Sequence, residues 1–164
     1  MSTTLATADL CDAFPTLVKV VEPIFRDWGG IRSFAGPIET LRVHEDNGLV
    51  RRVLEGKGNG RVLVVDGGGS LRTALLGGRL AALAQANGWH GAVIHGCVRD
   101  SGELAAVAIG VKALHLQPMS SAKAGKGEAG VPVTFGGVTF TSGSWLYADG
   151  DGIVVSDSEL RLPD

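Results

Sequence analysis

The sequence predicts an α/β fold, and three observations carry that expectation. Apolar runs of strand length recur at residues 62–65, 92–95 and 111–116. Between them, apolar residues return every three to four positions, as on one face of a helix. After Gly125 the pattern changes to short runs divided by glycine turns, as in hairpins.

The elements follow in order. Residues 7–14 are expected to form a short helix. Residues 41–44 (Leu-Arg-Val-His) alternate apolar and polar, as a half-buried strand does. Asn47 is placed to cap a helix with Leu49, Val50, Val53 and Leu54 on one face and Arg51, Arg52 and Glu55 towards water. Gly58-Asn59-Gly60 ends that helix, and the unbroken apolar run 62–65 is a buried strand. Leu76, Leu80 and Leu83 at i, i+4 and i+7 mark the next helix, and Gly88 terminates it. Residues 92–95 form a strand, a short helix begins near Glu103, and residues 111–116 form the next strand. Strand–helix–strand–helix–strand implies a parallel βαβ unit with right-handed crossovers. Runs at 131–135, 138–140, 145–148 and 153–155 form a β-rich C-terminal part. No linker or repeat divides the chain, so residues 1–164 read as a single domain.

Composition narrows the function. The formal charge is -2, with acidic and basic residues mixed along the chain. Without a basic stripe, direct nucleic-acid binding is disfavoured. Aromatic residues make up 5%, too few for a base-stacking platform. Cys11 and Cys97 give neither a disulfide framework nor zinc-finger spacing, which points to a reducing compartment. Residues 1–10 lack a secretory pattern, and no apolar stretch nears the roughly 20 residues that span a bilayer. A soluble, cytoplasmic protein is expected, with no membrane partner.

Four segments are candidates for chemistry. Asp66-Gly67-Gly68-Gly69-Ser70 follows a strand but lacks the Gly-Lys-Ser/Thr of a phosphate loop, so a sharp turn with positive φ angles is favoured. Gly77-Gly78-Arg79-Leu80 reads as the start of a helix. Two glycines there cost about 1 kcal/mol each against alanine. Either close strand–helix packing explains them, or backbone amides are left free for a carboxylate. Arg99-Asp100 lies just beyond a buried strand, where open α/β sheets place ligands. Asp100 is a hard oxygen ligand suited to Mg²⁺ or Mn²⁺, and Arg99 offers a fork for a carboxylate. Against this, Asp100-Ser101-Gly102-Glu103 matches a capping box with Asp100 as N-cap, the stronger reading from the residues alone. Asp149-Gly150-Asp151-Gly152 reads as a hairpin turn. His44, His90, His95 and His115 lack any paired ligand spacing, and no G-x-S-x-G elbow is present.

Phe34-Ala35-Gly36-Pro37, Glu45-Asp46-Asn47, residues 64–72 (VVDGGGSLR), residues 91–100 (GAVIHGCVRD), residues 135–140 (FGGVTF) and Tyr147-Ala148-Asp149 together resemble the RraA family over about residues 7–156. That family joins 4-hydroxy-4-methyl-2-oxoglutarate aldolases, which also decarboxylate oxaloacetate, with the regulators of RNase E activity, which inhibit that nuclease by binding it. The resemblance implies a swivelling β/β/α fold and a homotrimer with sites between subunits. By position, Asp100 matches the metal ligand and Arg99 the arginine that holds the pyruvate part. Gly77, Gly78, Arg79 and Leu80 match the loop whose amides bind the substrate carboxylate. Aldolase-type members share a D-x20-R-D pattern, and its first acid falls on Gly78 here. Asp100 therefore leans towards the catalytic branch and Gly78 away from it. Some members have been called menaquinone methyltransferases, yet no G-x-G-x-G that follows a strand and opens a helix, as an S-adenosylmethionine loop does, is present; Gly56-Lys57-Gly58-Asn59-Gly60 lies between a helix and a strand.

The expected function is a divalent-metal-dependent lyase acting on a small 2-oxo acid through a pyruvate enolate stabilised by Mg²⁺ or Mn²⁺. The rival is a non-catalytic inhibitor whose partner is an RNase E-type ribonuclease. If the missing acid is the sole defect, Gly78→Asp should raise aldol cleavage more than decarboxylation, provided φ at Gly78 is not positive.

Overall fold

The computed structural model describes residues 5–163; residues 1–4, the start of the N-terminal segment that lacks a secretory pattern, and residue 164 lie outside the described residues. Helix α1 (Thr7–Ala13) precedes strands β1 (Lys19–Val20), β2 (Arg26–Asp27) and β3 (Phe34–Arg42). Then come α2 (Gly48–Leu54), β4 (Val62–Asp66), β5 (Ala74–Leu76), α3 (Gly78–Ala86), β6 (Gly91–Val98), α4 (Ser101–Ala106) and β7 (Gly110–Leu116). The C-terminal part holds β8 (Glu128–Ala129), β9 (Val133–Phe135), β10 (Val138–Phe140), β11 (Trp145–Asp149) and β12 (Gly152–Ser156).

The main sheet runs β1-β12-β11-β3-β4-β6-β7-β2. Its centre, β3-β4-β6-β7, is parallel, with Val64 opposite Val93 and Ala92 opposite Val111. Antiparallel strands flank it on both sides. Residues alternate between two cores along β4. Leu63 and Val65 pack with α2, α3 and α4, while Val62 and Val64 pack with Phe135, Phe140, Leu146 and Ile153. A strand buried on both faces needs the unbroken apolar run seen at residues 62–65. The α/β expectation, the parallel unit and the C-terminal hairpins β9–β10 and β11–β12 agree with this architecture.

Four local expectations change. The 41–44 strand is the end of the nine-residue β3, and His44 lies beyond it. Gly36 and Pro37 hide its start, because both residue types weaken a strand signal. Leu76 lies in β5 rather than in the following helix, which starts at Gly78 with Gly77 as N-cap. A three-residue strand is too short to show a period of its own. The expected strand at 131–135 begins at Val133. Asn47 occupies the N-cap of α2 but makes no side-chain cap. Its Nδ2 donates to the Leu75 carbonyl at 3.3 Å, and the Gly48 amide donates to Asp46 Oδ1 at 2.9 Å instead.

Two polar ties cross the fold. Asp149 accepts from the amide and hydroxyl of Thr7 at 2.8 and 2.7 Å, closing the start of α1 from the far end of the chain. Lys112 is buried within β7, where its Nζ lies 3.1 Å from Asp27 Oδ1 and donates to the Asp149 carbonyl at 2.6 Å.

Candidate active site

The parallel strands deliver two turns side by side. β5 pairs with the end of β6, with Ala74 opposite Cys97 and Leu76 opposite Val98. The Arg99 amide donates to the Leu76 carbonyl at 3.0 Å, and the Gln117 amide donates to the Val98 carbonyl at 3.0 Å. The backbone at Arg99 is thereby held by both neighbouring strands. The loop from β5 into α3 and the turn from β6 into α4 therefore meet at the carboxyl ends of the strands, where such sheets bind ligands. They line a cavity of about 510 Å³ with Asn47, Arg51, Arg52, Ser120, Lys123 and Glu103. That volume lies within the range of about 300–1,000 Å³ usual for small-molecule sites.

Asp100 departs from the capping box expected of it. It stands at the N-cap of α4 in the left-handed region, at φ 61° and ψ 50°, and makes no side-chain cap. Its Oδ2 instead accepts the Gly78 amide at 2.9 Å, across the cavity wall. A non-glycine residue in this region carries backbone strain, least for Asp and Asn, and strained residues cluster at functional sites. Asp100 Oδ1 accepts no hydrogen bond among the described residues.

The two glycines at the start of α3 also find their reason. A side-chain carbon on Gly77 would lie 2.6 Å from Asp100 Oδ2, and one on Gly78 would collide with the Glu103 carboxylate. The loop is thus kept bare by the carboxylates of the site. The amides of Arg79 and Leu80 have no partner among the described residues, so the positive end of α3 is open to an anion. The Leu80 side chain points elsewhere, into the core.

Two further expectations are revised here. Gly78 does not have a positive φ, so the obstacle to Gly78→Asp is Glu103 and not backbone strain. Nor does the missing acid at position 78 leave that place without a carboxylate, because Glu103 reaches it from α4. The sequence reading assigned Glu103 only a capping role. The signal that could have found it is the one-turn spacing from Asp100, which places both side chains on neighbouring faces of the same short helix.

Charge dominates the cavity. None of the eight ion pairs among the described residues involves Arg52, Arg79, Arg99 or Lys123. Arg51 pairs with Glu55 at 3.0 Å. For a metal, no group of three or more His, Cys, Asp or Glu side chains converges among the described residues. Asp100 and Glu103 are hard oxygen donors at one cavity. Such a set suits Mg²⁺, which keeps several waters and takes one or two carboxylates together with substrate oxygens.

The remaining candidates lie outside this site. In the Asp66–Ser70 loop, Gly68 and Gly69 have φ of 67° and 72°. The amides of Gly67 and Gly69 donate to the His95 carbonyl, the Gly68 amide to Asp66 Oδ1 and the Ser70 amide to the Gly67 carbonyl. No amide of this loop is left for a phosphate, so it is the sharp turn expected. His95 stacks on Phe135 at 4.7 Å, and Cys97 is buried with its thiol pushed up by burial. A second cleft of about 500 Å³ lies at the amino ends of the strands, between Phe34, Trp89, Trp145 and Tyr147. Its carboxylate and imidazole groups among the described residues are Glu159 and His90.

A family model described as "RraA-like: Aldolase/RraA" matches residues 7–155. The chain belongs to the RraA-like family. A protein of Alkalilimnicola ehrlichii named "Putative 4-hydroxy-4-methyl-2-oxoglutarate aldolase" is 57% identical over 94% of this chain and 96% of its own length. A protein of the same name from Azotobacter vinelandii is 54% identical over 96% of this chain and 98% of its own. Among solved structures, the RNA-processing inhibitor RraA of Thermus thermophilis superposes with a TM-score of 0.93 at 50% identity, covering 97% of this chain and 96% of that one. A Geobacillus kaustophilus structure described as an S-adenosylmethionine:2-dimethylmenaquinone methyltransferase gives 0.92 at 51% identity, over 95% and 97%. The swivelling α/β fold expected of an RraA-like chain is the fold observed. No helix among the described residues is long and apolar enough to cross a membrane.

Proposed function

We propose that this RraA-like chain is a divalent-metal-dependent lyase that cleaves 4-hydroxy-4-methyl-2-oxoglutarate and also decarboxylates oxaloacetate. The observation that carries the reading is the meeting of Arg99, Asp100 and the open amides of α3 at one cavity. The names of the relatives support the same activity. Arg99 and the amides of Arg79 and Leu80 grip the carboxylate of a 2-oxo acid and fix its orientation. Asp100 and Glu103 would hold Mg²⁺ or Mn²⁺, which when bound would supply positive charge beside the 2-oxo oxygen.

Glu103 has a second task in aldol cleavage. Its carboxylate accepts the proton of the 4-hydroxyl, directly or through a water. The O–H electrons form the new carbonyl, and the C3–C4 pair passes to the pyruvate fragment. Oxaloacetate has no such proton to lose. The protein is further proposed to be cytoplasmic and a homotrimer.

The test is oxaloacetate decarboxylation by the purified chain with Mg²⁺ or Mn²⁺, against metal alone. A rate above the metal background that EDTA abolishes supports the reading, and activity surviving full chelation overturns it. The second reading, an inhibitor of an RNase E-type ribonuclease, is favoured by the likeness to the Thermus protein. It requires inhibition of the nuclease that persists in an Asp100→Asn variant.

A further inference from the structure

All three asparagines of the chain precede a glycine, at 47–48, 59–60 and 87–88. Such a pair carries a chemistry of its own. The glycine amide nitrogen attacks the asparagine Cγ, since glycine has no side chain to block the approach. A new C–N bond forms and the bond from Cγ to the side-chain nitrogen breaks. That nitrogen leaves as ammonia with the proton of the glycine amide. Water then opens the cyclic imide at either carbonyl. One opening gives an aspartyl linkage. The other routes the main chain through the side-chain carbon, as an isoaspartyl linkage.

The three pairs stand in different surroundings. Each glycine amide is already bonded, Gly48 to Asp46 Oδ1 at 2.9 Å, Gly60 to the Gly88 carbonyl at 2.9 Å and Gly88 to the Gln85 carbonyl at 3.1 Å. The nucleophile is thus held back in all three. The side chains differ. Asn87 Nδ2 donates to the carbonyls of Leu54 at 2.8 Å and Glu55 at 3.2 Å. Asn47 is half-buried, and its Nδ2 donates to the Leu75 carbonyl at 3.3 Å. Asn59 is exposed and makes no side-chain hydrogen bond among the described residues, so its Cγ is free to turn.

A change at Asn59 would also be felt by its neighbours. Asn59 and Gly60, at φ 53° and 76°, are the central residues of a turn closed by the Arg61 amide, which donates to the Gly58 carbonyl at 3.0 Å. A turn with both φ angles positive favours Asn-Gly. Arg61 is fastened to the same turn, with Nε and Nη2 donating to the Gly58 and Lys57 carbonyls at 2.9 and 2.8 Å. Its guanidinium lies over the Trp89 ring at 4.6 Å. An isoaspartyl linkage inserts an extra backbone carbon into this turn, whereas an aspartyl linkage leaves the backbone as it was.

We infer that Asn59 is a modification site, the position at which the folded chain deamidates ahead of Asn47 and Asn87, and that the isoaspartyl product unfastens Arg61 from Trp89. The reaction consumes only water and is independent of the lyase reading.

The experiment ages the purified protein at mildly alkaline pH beside a sample unfolded in urea. Trypsin places the three sites in separate peptides, 43–51, 58–61 and 80–99. Mass spectrometry follows the exchange of amide for acid in each. In urea the three should react at similar rates. In the folded protein Asn59 should react about five- to tenfold faster than the other two, the factor that a hydrogen-bonded side chain allows. Asn59→Gly keeps the positive φ angles and should abolish the change in peptide 58–61. The isoaspartyl fraction, separated by ion exchange, should melt lower than wild type and show red-shifted tryptophan emission. Asn59→Asp carries the new charge without the extra carbon and should match wild type in both. Asn47 or Asn87 reacting as fast as Asn59 in the folded protein overturns the inference, as does an unreactive Asn59 while the urea sample reacts. An isoaspartyl fraction that matches Asn59→Asp in melting and emission overturns the link to Arg61 and Trp89.

Discussion

Replacing Glu103 by glutamine separates the two reactions that the site is proposed to run. Glu103 is exposed on the six-residue helix α4 and makes no hydrogen bond or ion pair among the described residues that the change would break. The cost to folding should therefore stay within about 0.5 kcal/mol. Aldol cleavage should fall far more, since a general base contributes about 10²–10⁴-fold to a proton transfer of this kind. The lower end is about 2.7 kcal/mol of transition-state stabilisation. Oxaloacetate decarboxylation has no hydroxyl proton to remove and should fall less than about tenfold, the part due to weaker metal holding. Pyruvate release from each substrate, followed with lactate dehydrogenase at saturating Mg²⁺, gives both rates. The reciprocal variant sharpens the test. Gly78→Asp alone should lose stability, because its first side-chain carbon would lie 2.6 Å from Glu103 Cβ and its carboxylate would crowd that of Glu103. Gly78→Asp combined with Glu103→Gly clears the space and should recover aldol cleavage relative to Glu103→Gly alone. A folded Glu103→Gln protein whose two rates fall by the same factor would refute the assignment of the proton to this residue.

Asp100→Asn should keep the bond to the Gly78 amide and tolerate the left-handed backbone, so its melting temperature should stay near that of wild type. Its Mg²⁺ affinity, measured by calorimetry, should drop at least about tenfold with the lost charge. Arg99→Lys should retain metal binding but weaken pyruvate by about tenfold or more, because an ammonium cannot form the paired contact of the guanidinium. Acid stability should depend on Asp46 and Asp149. Burial alone would raise the Asp46 carboxyl, but the amides of Gly48, Gly125, Lys126 and Ala124 outweigh it and hold the group below the ordinary aspartate value. Burial acts the same way on Asp149 and is outweighed by Thr7, Asp151 and Gly152. Depressed carboxyls contribute stability above their unfolded value of 3.8 and lose it as pH falls through the folded value. The melting temperature should thus fall steeply below about pH 4, and Asp46→Asn should flatten that fall.

Much of the scaffold was legible because its signals are local. The run 62–65 is apolar on both faces and is buried on both, and Gly88 ends α3 with a φ of 85°. What stayed hidden depends on neighbours distant in sequence. Nothing in residues 100–103 tells that the Gly78 amide, 22 positions earlier, will take the Asp100 carboxylate away from its local cap. The glycines at 77 and 78 looked like a cost to the helix, and their cause lies in the side chains of Asp100 and Glu103 on another element. Asp46 could be read only as part of a recurring motif, since its partners at Gly125 and Lys126 lie 79 and 80 residues away. Lys112 interrupts an apolar strand without a visible reason until Asp27 and the Asp149 carbonyl are placed beside it.

The same reasoning bears on whether this chain is a catalyst or only a binding surface. A surface that docks another protein gains nothing from a left-handed aspartate with one oxygen spent on an amide and the other open. Nor does it need two open amides at a helix start and four cations without anionic partners gathered at one cavity. The left-handed backbone at Asp100 is the one of these features that costs folding free energy, through strain. A small anionic ligand would meet the open amides and the cations together, and a cation at Asp100 with that ligand would give the strained backbone its purpose. An inhibitory surface can be built on the outer residues of the same scaffold without touching these groups. The two activities are thus separable by Asp100→Asn, which removes one charge at the cavity and changes no other side chain.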